Sequence, residues 1–399
     1  MRKTVTIGDL GTIITGKTPP TTNKNYYGDY AVFIKPTDIS EQSKFTYETE
    51  EMYSKLATEK YASSQIPKGA ICVPCIGTIG TKMTMAPCDC YTNQSINSIV
   101  CNENYDNEYV YYLIKNFLPG LKSYNLGTAS GREYVSKSNF EKIELVAEQD
   151  KTIQIRIGNF LSRYDSLIEN YQKQIKLLEE AAQRLYKEWF VDFRFPGHEN
   201  TKIVDGVPEG WEKKKVKDFV ELQSGYAFKS STFEDGCPYK IVTIKNVKDG
   251  VFEGENVSTV RTVPEKMPNH CFLKDGDILL SLTGNVGRVC MVIGENYLLN
   301  QRVAKLKTNY PAYTYNLFRS YEMFITVCNL ANGAAQQNVS PIRIGDVDIV
   351  IANDELMNKF EGFAGVYINE IIKHHHQIHL LTEARDRLLP KLMSGEIEV

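Results

Sequence analysis

Four cysteines are the first candidates for chemistry, because thiolate is a ligand that zinc prefers. They stand in one short segment, at Cys72, Cys75, Cys88 and Cys90. A second copy of this segment, described below, has Leu279, Leu282, Glu295 and Tyr297 at the same places. The fold therefore does not depend on zinc, and we expect no metal site here.

A histidine group in the last quarter of the chain also has spacing that a metal can use. It consists of His374, His375, His376 and His379. Histidines four residues apart share a helix face and can bind a metal together. Ordinary histidines on a helix surface give the same pattern, so we expect no metal at this group.

The motifs of the common catalytic classes are missing from the sequence. There is no G-x-x-x-x-G-K-[ST] loop, no G-x-S-x-G elbow, no HExxH segment and no dinucleotide-binding glycine fingerprint. There is also no Asn-Pro-Pro-aromatic or Asp-Pro-Pro-aromatic segment of the kind expected of adenine methyltransferases. We expect the chain not to be an enzyme. A DNA enzyme with an unrecognised active site is the alternative.

Two glycine turns beside basic residues are candidates for nucleic-acid binding. The turns at 77–80 and 284–287 are followed by Lys82 and Arg288. Glycine is needed where backbone has φ > 0 or lies against a phosphate. Lysine and arginine can hold phosphates, and arginine can also bind guanine O6 and N7 in the major groove. A tight hairpin would need the same glycines, so both interpretations stay open.

Amide and lysine side chains next to apolar runs are further candidates. Asn93-Gln94 and Asn300-Gln301-Arg302 can pair with adenine edges, or can bond neighbouring backbone. Lys35 and Lys245 each follow an apolar strand and could hold phosphate, although most such lysines are simply solvated.

Two loops of small polar residues, 127–136 and 333–340, suit a close approach of backbone to a duplex, or a plain linker. Together with the turns they complete the predicted DNA contacts. These are Lys35, Gly77, Thr78, Lys82, Asn93, Arg132, Lys245, Thr283, Asn285, Arg288, Gln301, Arg302, Gln336, Gln337 and Asn338.

These candidates recur because the chain contains an internal repeat. The segment 66–95 matches 272–302, and the same 207 residues separate Gly77 from Gly284 and Asn93 from Asn300. Ile34-Lys35 is matched to Ile244-Lys245, and Gly16 is matched to Gly225. The repeat is about half of the chain, so it predicts two similar globular parts.

Each repeat reads as a β-rich head followed by a long helix. Apolar positions step by threes and fours over 153–189 and again over 360–388. At a rise of 1.5 Å, helices of roughly 40 residues are about 60 Å long. A narrow apolar stripe of that length needs a partner helix. The predicted fold is therefore α+β, with two similar heads and two long helices that form a coiled coil, parallel or antiparallel.

The predicted domains follow this order. They are a first head at 1–147, a helix at 148–190, a connector at 191–209, a second head at 210–352, and a helix with a C-terminal tail at 353–399. Two unlike heads on a stiff spacer suit a bipartite, asymmetric site on duplex DNA. A coiled-coil scaffold whose heads bind protein is the alternative.

The junction LYKEWFVDFRFPG (185–197) predicts that the first helix ends near Phe190 and leads into an aromatic-rich strand or linker. Its aromatic residues can pack where helix meets head, or form an interface for a partner protein. Leu388 and Leu392 belong to the matching stretch LLPKLMSGEIEV. The predicted partner interface is Trp189, Phe190, Phe193, Phe195, Leu388 and Leu392.

The composition fits a folded protein of two or three domains. The chain has 399 residues, is 42% hydrophobic and has a formal net charge of −3. Nine scattered cysteines suit reduced thiols. With neither a secretory segment nor an apolar run of membrane-spanning length, the expected location is the cytoplasm. A net charge of −3 does not exclude DNA, because the local field decides phosphate attraction.

Taken together, these motifs resemble the specificity (S) subunits of type I restriction-modification systems. The resemblance rests on GDIL at 276–279, TGNVG at 283–287, the GTAS…VS and GAAQQNVS segments, the LYKEWFVDFRFPG junction and LLPKLMSGEI at 388–397. It covers the whole chain in the order head, helix, head, helix. The Cys-Val-Pro-Cys strand and His374-His375-His376 depart from the usual pattern.

The resemblance implies a non-catalytic subunit that reads a split DNA sequence through two target recognition domains. The helices would set the gap and carry two methyltransferase (M) subunits, and restriction (R) subunits would join the larger complex. The chain would need no cofactor of its own, because S-adenosylmethionine, ATP and Mg²⁺ would be used by its partners.

Overall fold

A computed structural model of the chain describes residues 1–77, 79–127, 131–255, 257–331 and 337–399. The described chain divides into two compact units. Unit 1 consists of Met1–Asn170 with His379–Val399, and unit 2 is Tyr171–Ile378. The predicted domains kept the helices apart from the heads, whereas these units divide each long helix between them.

Unit 1 contains two four-stranded sheets and two strand pairs. The strands are β1 (Arg2–Thr6), β2 (Gly11–Thr15), β3 (Tyr27–Gly28), β4 (Ala31–Ile34), β5 (Met52–Tyr53), β6 (Ile71–Pro74), β7 (Ile76–Gly77), β8 (Thr84–Met85), β9 (Tyr91–Thr92), β10 (Ile96–Cys101), β11 (Glu133–Tyr134) and β12 (Glu144–Glu148). The sheets have the orders β2-β10-β6-β8 and β3-β5-β4-β9, and the pairs are β1–β12 and β7–β11.

The helices of unit 1 are short, apart from its parts of the two long helices. They are α1 (Ile7–Leu10), α2 (Lys55–Lys60), α3 (Asn107–Phe117), α4 (Lys137–Glu141), the beginning of α5 (Lys151–Tyr186) and the end of the second long helix, α9 (Asp354–Ser394), with 3₁₀ turns at Lys24–Tyr26, Ala62–Ser64 and Leu118–Tyr124. Asp106 caps α3, because its carboxylate accepts a hydrogen bond from the Tyr109 amide at 3.0 Å.

Unit 2 contains two four-stranded sheets and two strand pairs as well. The strands are β13 (Ile203–Val204), β14 (Val207–Pro208), β15 (Glu212–Lys215), β16 (Glu221–Ser224), β17 (Tyr239–Val242), β18 (Ser258–Val260), β19 (Phe272–Leu273), β20 (Ile278–Ser281), β21 (Val289–Met291), β22 (Tyr297–Leu299), β23 (Val303–Lys307) and β24 (Asp348–Ile351). The sheets have the orders β16-β23-β20-β21 and β18-β17-β22-β19, and the pairs are β13–β14 and β15–β24.

The helices of unit 2 include the end of α5 and most of the second long helix. They are α6 (Pro311–Arg319), α7 (Tyr321–Leu330), α8 (Pro341–Gly345) and α9 (Asp354–Ser394). Shorter turns lie at Lys187–Val191 (a π turn), His198–Asn200, Val216–Asp218, Ser230–Thr232, Ile244–Asn246 and Asn269–Cys271. None of the described helices is long and apolar enough to span a bilayer.

The predicted internal repeat is confirmed in the first sheet of each unit and in the parallel pair of the second, whereas the edge strands β3 and β19 are not equivalent. Sheet β2-β10-β6-β8 of unit 1 has the same connections as β16-β23-β20-β21 of unit 2. In each unit the second sheet contains one parallel pair, which is β4–β9 in unit 1 and β17–β22 in unit 2. The remaining pairings of these sheets are antiparallel.

One predicted match within the repeat is wrong by two residues. The Asn93 amide donates to the Ile34 carbonyl at 3.0 Å, and the Asn300 amide donates to the Val242 carbonyl at 3.1 Å. Ile34 therefore corresponds to Val242 and not to Ile244. Ile244-Lys245 lies two residues further along the chain, in a 3₁₀ turn that follows β17.

The predicted pairing of the long helices is present within each unit. In unit 2, Tyr171 of α5 lies 4.9 Å from His374 of α9, and Trp189 lies 5.7 Å from Phe360, measured between ring centroids. The residue numbers rise along α5 as they fall along α9, so the pair is antiparallel. In unit 1, Leu161 of α5 and Leu392 of α9 are buried in one apolar cluster.

Of its two predicted forms, strand or linker, the aromatic junction takes the linker. Val191 ends the π turn Lys187–Val191, residues 192–195 lie in no strand, and the Asp192 amide donates to the Lys187 carbonyl at 2.8 Å. Phe193 then adopts φ 56°. This turn places the rings of Phe193 and Phe195 5.4 and 5.3 Å from that of Trp211. Burial of these rings outweighs the strand propensity of the segment.

Candidate nucleic-acid interface

The glycine turn of unit 2 is hydrogen-bonded to Gln337 and Asn338, which belong to the predicted loop 333–340. The Gly284 amide donates to the Gln337 carbonyl at 2.9 Å, and the Thr283 hydroxyl donates to Asn338 Oδ1 at 2.7 Å. Gly284 has φ 75° and Gly287 has φ 81°, which explains the repeated glycines.

Two further loops meet this turn, and a third meets one of those two. The Leu282 amide donates to the Arg302 carbonyl at 3.0 Å, and Asn285 Nδ2 donates to the Val247 carbonyl at 3.1 Å. The Gln301 amide donates to the Tyr226 carbonyl at 3.0 Å. We call the segments 225–229, 244–247, 283–288, 300–302 and 337–338 the unit 2 loop cluster.

Most of the unit 2 side chains that were predicted to contact DNA are exposed in this cluster. Lys245, Asn285, Gln301, Arg302, Gln337 and Asn338 are exposed. Thr283 is buried and serves to hold Asn338. The structure therefore brings together seven of the predicted residues. Gln336 lies outside the described residues.

Arg288 is the eighth described candidate of unit 2, and it packs on a helix. Its guanidinium carbon lies 4.6 Å above the centroid of the Phe324 ring in α7. Arg288 is half-buried there. An arginine held flat against a ring keeps its N–H edges free of the ring, so they can donate to a phosphate or to guanine at the rim of the cluster.

The loop 225–229 also belongs to the cluster, although the sequence did not predict it as a DNA-binding segment. A Cβ on Gly225 would stand 2.3 Å from the Asn300 carbonyl oxygen, so only glycine allows this close approach. The loop presents exposed Lys229 beside partly buried Tyr226 and Phe228. The repeat of Gly16 as Gly225 was the pattern that could have identified it.

Unit 1 forms the equivalent cluster with different side chains. The Cys75 amide donates to the Ser95 carbonyl at 2.7 Å, and β7 pairs Gly77 with Glu133. A carboxylate oxygen of Glu133 accepts a hydrogen bond from the Ile79 amide at 3.1 Å. At the position that corresponds to Thr283 of unit 2, unit 1 has Ile76, which pairs with Tyr134. We call the segments 16–18, 35–39, 76–77, 79–82, 93–95 and 131–134 the unit 1 loop cluster.

The loop at 16–18 was also missed by the sequence analysis. A Cβ on Gly16 would stand 2.1 Å from the Thr92 carbonyl oxygen. Beyond it, Lys17 Nζ donates to Ser63 Oγ at 3.3 Å, and the Thr18 hydroxyl donates to Gln94 Oε1. The exposed amide of Gln94 is thus positioned by a neighbour from this loop.

Lys35 is placed differently from its predicted role. Its ammonium is 2.7 Å from Glu50 and 3.2 Å from Glu51, and the lysine side chain is 19% exposed. Burial opposes the charge, but the two carboxylates outweigh it and raise the pKa of Lys35. A phosphate would have to displace these carboxylates before it could bind.

The side chains of Asn93 and Asn300 accept hydrogen bonds from backbone amides two residues further along the chain. Asn93 Oδ1 accepts from the Ser95 amide at 3.0 Å, and Asn300 Oδ1 accepts from the Arg302 amide at 3.3 Å. Each side chain shapes the loop that carries its neighbours. Asn93 is thus a residue of loop geometry, which was one of its two predicted interpretations.

The remaining candidates of unit 1 lie in the same cluster. Gly77 has φ 93° and no atom within 4 Å of a Cβ built on it, so its turn faces open space. Lys82 is half-buried and Arg132 is exposed. Thr78 lies outside the described residues.

The residues of the predicted partner interface are mostly buried within their own unit. Trp189, Phe190 and Phe195 are 5%, 8% and 6% exposed in the core of unit 2, where Phe193 packs against them. Leu392 is fully buried in unit 1, with Leu388 partly buried beside it. These side chains stabilise the units, and a partner would have to contact their exposed neighbours.

The cysteine and histidine groups form no metal centre within the described residues. Burial raises the pKa of Cys72 and of Cys75 to about 12, so both remain thiols. His374 packs on Tyr171, and His376 bonds Asp275. Burial, followed by the charges of His376 and His374, lowers the pKa of His375 to about 4.

Comparison with known proteins gives a consistent result over the whole chain. The sequence profile of the type I restriction modification DNA specificity domain matches residues 2–180 and 208–354, one match for each repeat. The type I restriction enzyme MjaIX specificity subunit of Methanocaldococcus jannaschii is 26% identical, over 98% of this chain and 93% of that protein. The HindI specificity subunit of Haemophilus influenzae is 34% identical over 43% of this chain and 38% of that protein.

The fold has a relative among solved structures. The crystal structure of the type I restriction-modification system S subunit from M. genitalium superposes with a TM-score of 0.59 and 14% sequence identity, over 98% of this chain and 96% of that one. At this identity the likeness concerns the fold alone.

Proposed function

The chain belongs to the family of type I restriction-modification DNA specificity subunits, and from this premise we propose that it reads a bipartite, asymmetric DNA site. It is a recognition subunit without an active site of its own. The observation that carries the proposal is the pair of loop clusters. Each unit gathers polar loops around a glycine turn at the end of the same two sheets.

The side chains of the two clusters support an asymmetric site. Unit 2 presents Gln301, Arg302 and Gln337, whereas the corresponding positions of unit 1 are Gln94, Ser95 and Glu133. Arginine and amide groups bind guanine and adenine edges, whereas a carboxylate accepts from cytosine N4. Readers of different chemistry on one scaffold favour two different half-sites.

Phosphate contacts in this proposal come from the lysines and arginines of the clusters. Exposed Lys229, Lys245 and Arg302 lie in the unit 2 loop cluster. Such contacts give affinity without sequence preference, so the negative net charge of the chain does not oppose a basic binding face.

In the same proposal the helices α5 and α9 act as a spacer. Each is long enough to contribute residues to both units, and within unit 2 they pair antiparallel. A paired helix of this kind resists bending better than a loop would. We propose that its length sets the gap between the two half-sites.

The chemistry on DNA is assigned to partners. We propose that two methyltransferase subunits and, in a full complex, restriction subunits bind the chain and use S-adenosylmethionine, ATP and Mg²⁺. The exposed apolar side chains of the long helices, Leu177 at 64% and Val366 at 56% among them, give such a partner apolar surface.

The test is methylation of random-sequence duplex DNA by the methyltransferase subunits with and without this chain. We expect methylation in one bipartite motif, and only when the chain is present. Binding of the motif should weaken steeply with salt because phosphate contacts release counterions. Methylation that is independent of the chain, or a scaffold that binds the methyltransferase without affecting sequence preference, would contradict the proposal. Turnover by the chain alone would indicate an enzyme.

A further inference from the structure

Asn285 stands at the tip of the unit 2 glycine turn, and its amide group can face DNA in only one orientation. Nδ2 donates to the Val247 carbonyl at 3.1 Å. A carbonyl oxygen only accepts hydrogen bonds, so the reversed amide would set two acceptor oxygens against each other. Oδ1 of Asn285 is therefore the atom presented to solvent.

Oδ1 accepts no hydrogen bond within the described part of the chain. Asn285 is exposed, although the turn beneath it is anchored in the core. Ser281 is fully buried; its hydroxyl donates to the Asn285 carbonyl, and its own carbonyl accepts from the Gly287 amide at 3.0 Å. A group held by such supporting bonds is preorganised for recognition.

We infer that Asn285 is a specificity-determining residue that reads an exocyclic amino group, adenine N6 or cytosine N4, in the half-site of unit 2. An asparagine that uses both Oδ1 and Nδ2 pairs with adenine alone. One N–H of Nδ2 is held by Val247, which leaves Oδ1 as an acceptor and the second N–H of Nδ2 as a donor. In the major groove adenine and cytosine present an amino donor, whereas guanine and thymine present an acceptor at that edge. Because Oδ1 accepts only from a donor, it favours the amino group of adenine or cytosine over a keto oxygen at that edge.

The inference rests on the proposed function and deepens it, since it names the base group that one residue recognises. The glycines on either side are part of the argument. A Cβ on Gly284 would stand 3.1 Å from Ile244 Cδ1, and Gly284 has φ 75°. The turn is thereby packed against the segment that supplies the Val247 carbonyl, and the orientation of Asn285 follows from that packing.

The experiment removes single amino groups from the DNA and compares two proteins. The full chain, bound to its methyltransferase subunits, is assayed on duplexes in which one adenine is replaced by purine or one cytosine by 2-pyrimidinone. For the wild-type chain, we expect one position of one half-site at which loss of the amino group lowers the methylation kcat/KM by about 5- to 150-fold. In Asn285→Ala the same replacement should not lower the methylation kcat/KM further, because this variant has already lost the Oδ1 acceptor.

All other positions serve as internal controls, since their replacements should cost the same in both proteins. Asn285→Ser also lacks the amide oxygen, and we expect the same loss of sensitivity from it, which covers the case that Asn285→Ala folds poorly. Equal costs in the wild-type chain and Asn285→Ala at every position would overturn the inference while leaving the proposed function intact. Methylation without any sequence motif would overturn both.

Discussion

Arg385 near the end of α9 donates a hydrogen bond to Asp165 in α5, across 220 residues of sequence. Both side chains are 5% exposed. Asp165 also accepts from the Tyr112 hydroxyl of α3. One buried carboxylate therefore joins the head of unit 1, the first long helix and the second long helix.

We expect Arg385→Met to destabilise unit 1 by about 3–5 kcal/mol, because it leaves the Asp165 carboxylate buried with Tyr112 as its one remaining partner among the described side chains. The double variant Asp165→Leu with Arg385→Met should recover most of this loss, since an apolar pair needs no desolvation of charge. In the repeat, the corresponding positions of unit 2 are Ile368 and Ala182, both buried. Urea unfolding of both single variants and of the double variant measures the coupling between Asp165 and Arg385. If the losses of unfolding free energy in the single variants simply added up in the double variant, the coupling would be contradicted.

The C-terminal segment should be needed for the stability of the first half of the chain. Leu392 is fully buried in the unit 1 core, whereas Leu380 on the same helix is 55% exposed. We expect Leu392→Ala to cost about 2–5 kcal/mol and Leu380→Ala to stay within about 0.5 kcal/mol. Hydrogen exchange should show the lost protection in α3 and β12. Loss confined to unit 2 would be inconsistent with the contacts of Leu392.

Gly225 should not tolerate a side chain, although it has ordinary φ. Its Cβ would stand 2.3 Å from a carbonyl oxygen, so Gly225→Ala must displace the end of β22 and the Asn300–Arg302 loop behind it. We expect a lower thermal midpoint and weaker DNA binding. Gly362→Ala is the matched control, because Gly362 lies in α9 with open space around it. That change should raise stability by up to about 1 kcal/mol. Equal effects of the two changes would refute the close approach.

Acidification should destabilise unit 2 partly through His375. Its pKa is about 4 in the folded chain because burial and two neighbouring histidines disfavour the proton, whereas an unfolded histidine has a pKa of about 6.5. The folded pKa is depressed, so this contribution to stability is complete above pH 6.5 and is lost as the pH falls toward 4. We expect the unfolding midpoint of His375→Gln to fall less over this range than that of the wild-type chain. Exposed His379→Gln should behave like the wild-type chain.

The sequence predicted the repeat, the β-rich heads and the long helices because these follow from patterns that are local. Glycine turns and apolar periods are read within a few residues, and Gly284 and Gly287 have the positive φ that their turn requires. The pairing of α5 with α9 was predicted from the length of the apolar stripes alone.

Contacts between distant segments explain the errors. The strand interpretation of 191–195 is wrong and the linker interpretation holds, because Phe193 and Phe195 pack against Trp211 in a core that the local pattern does not contain. Lys35 looked solvated or phosphate-bound, but Glu50 and Glu51 surround its ammonium. The repeat register at Ile244 was misassigned because hydrogen bonds to Asn93 and Asn300, rather than residue type, define it.

The spacer tests the central claim most directly. Seven residues are deleted from each long helix at facing positions, 168–174 and 374–380, so that the apolar phase of the pair is kept. Each deletion removes about 10 Å of helix, which corresponds to about three base pairs at 3.4 Å each.

Methylation motifs are then mapped for the wild-type chain and the paired deletion, each with the methyltransferase subunits. We expect both half-sites to be unchanged and the gap between them to shorten. The original gap, or a new sequence in either half-site, would contradict the account.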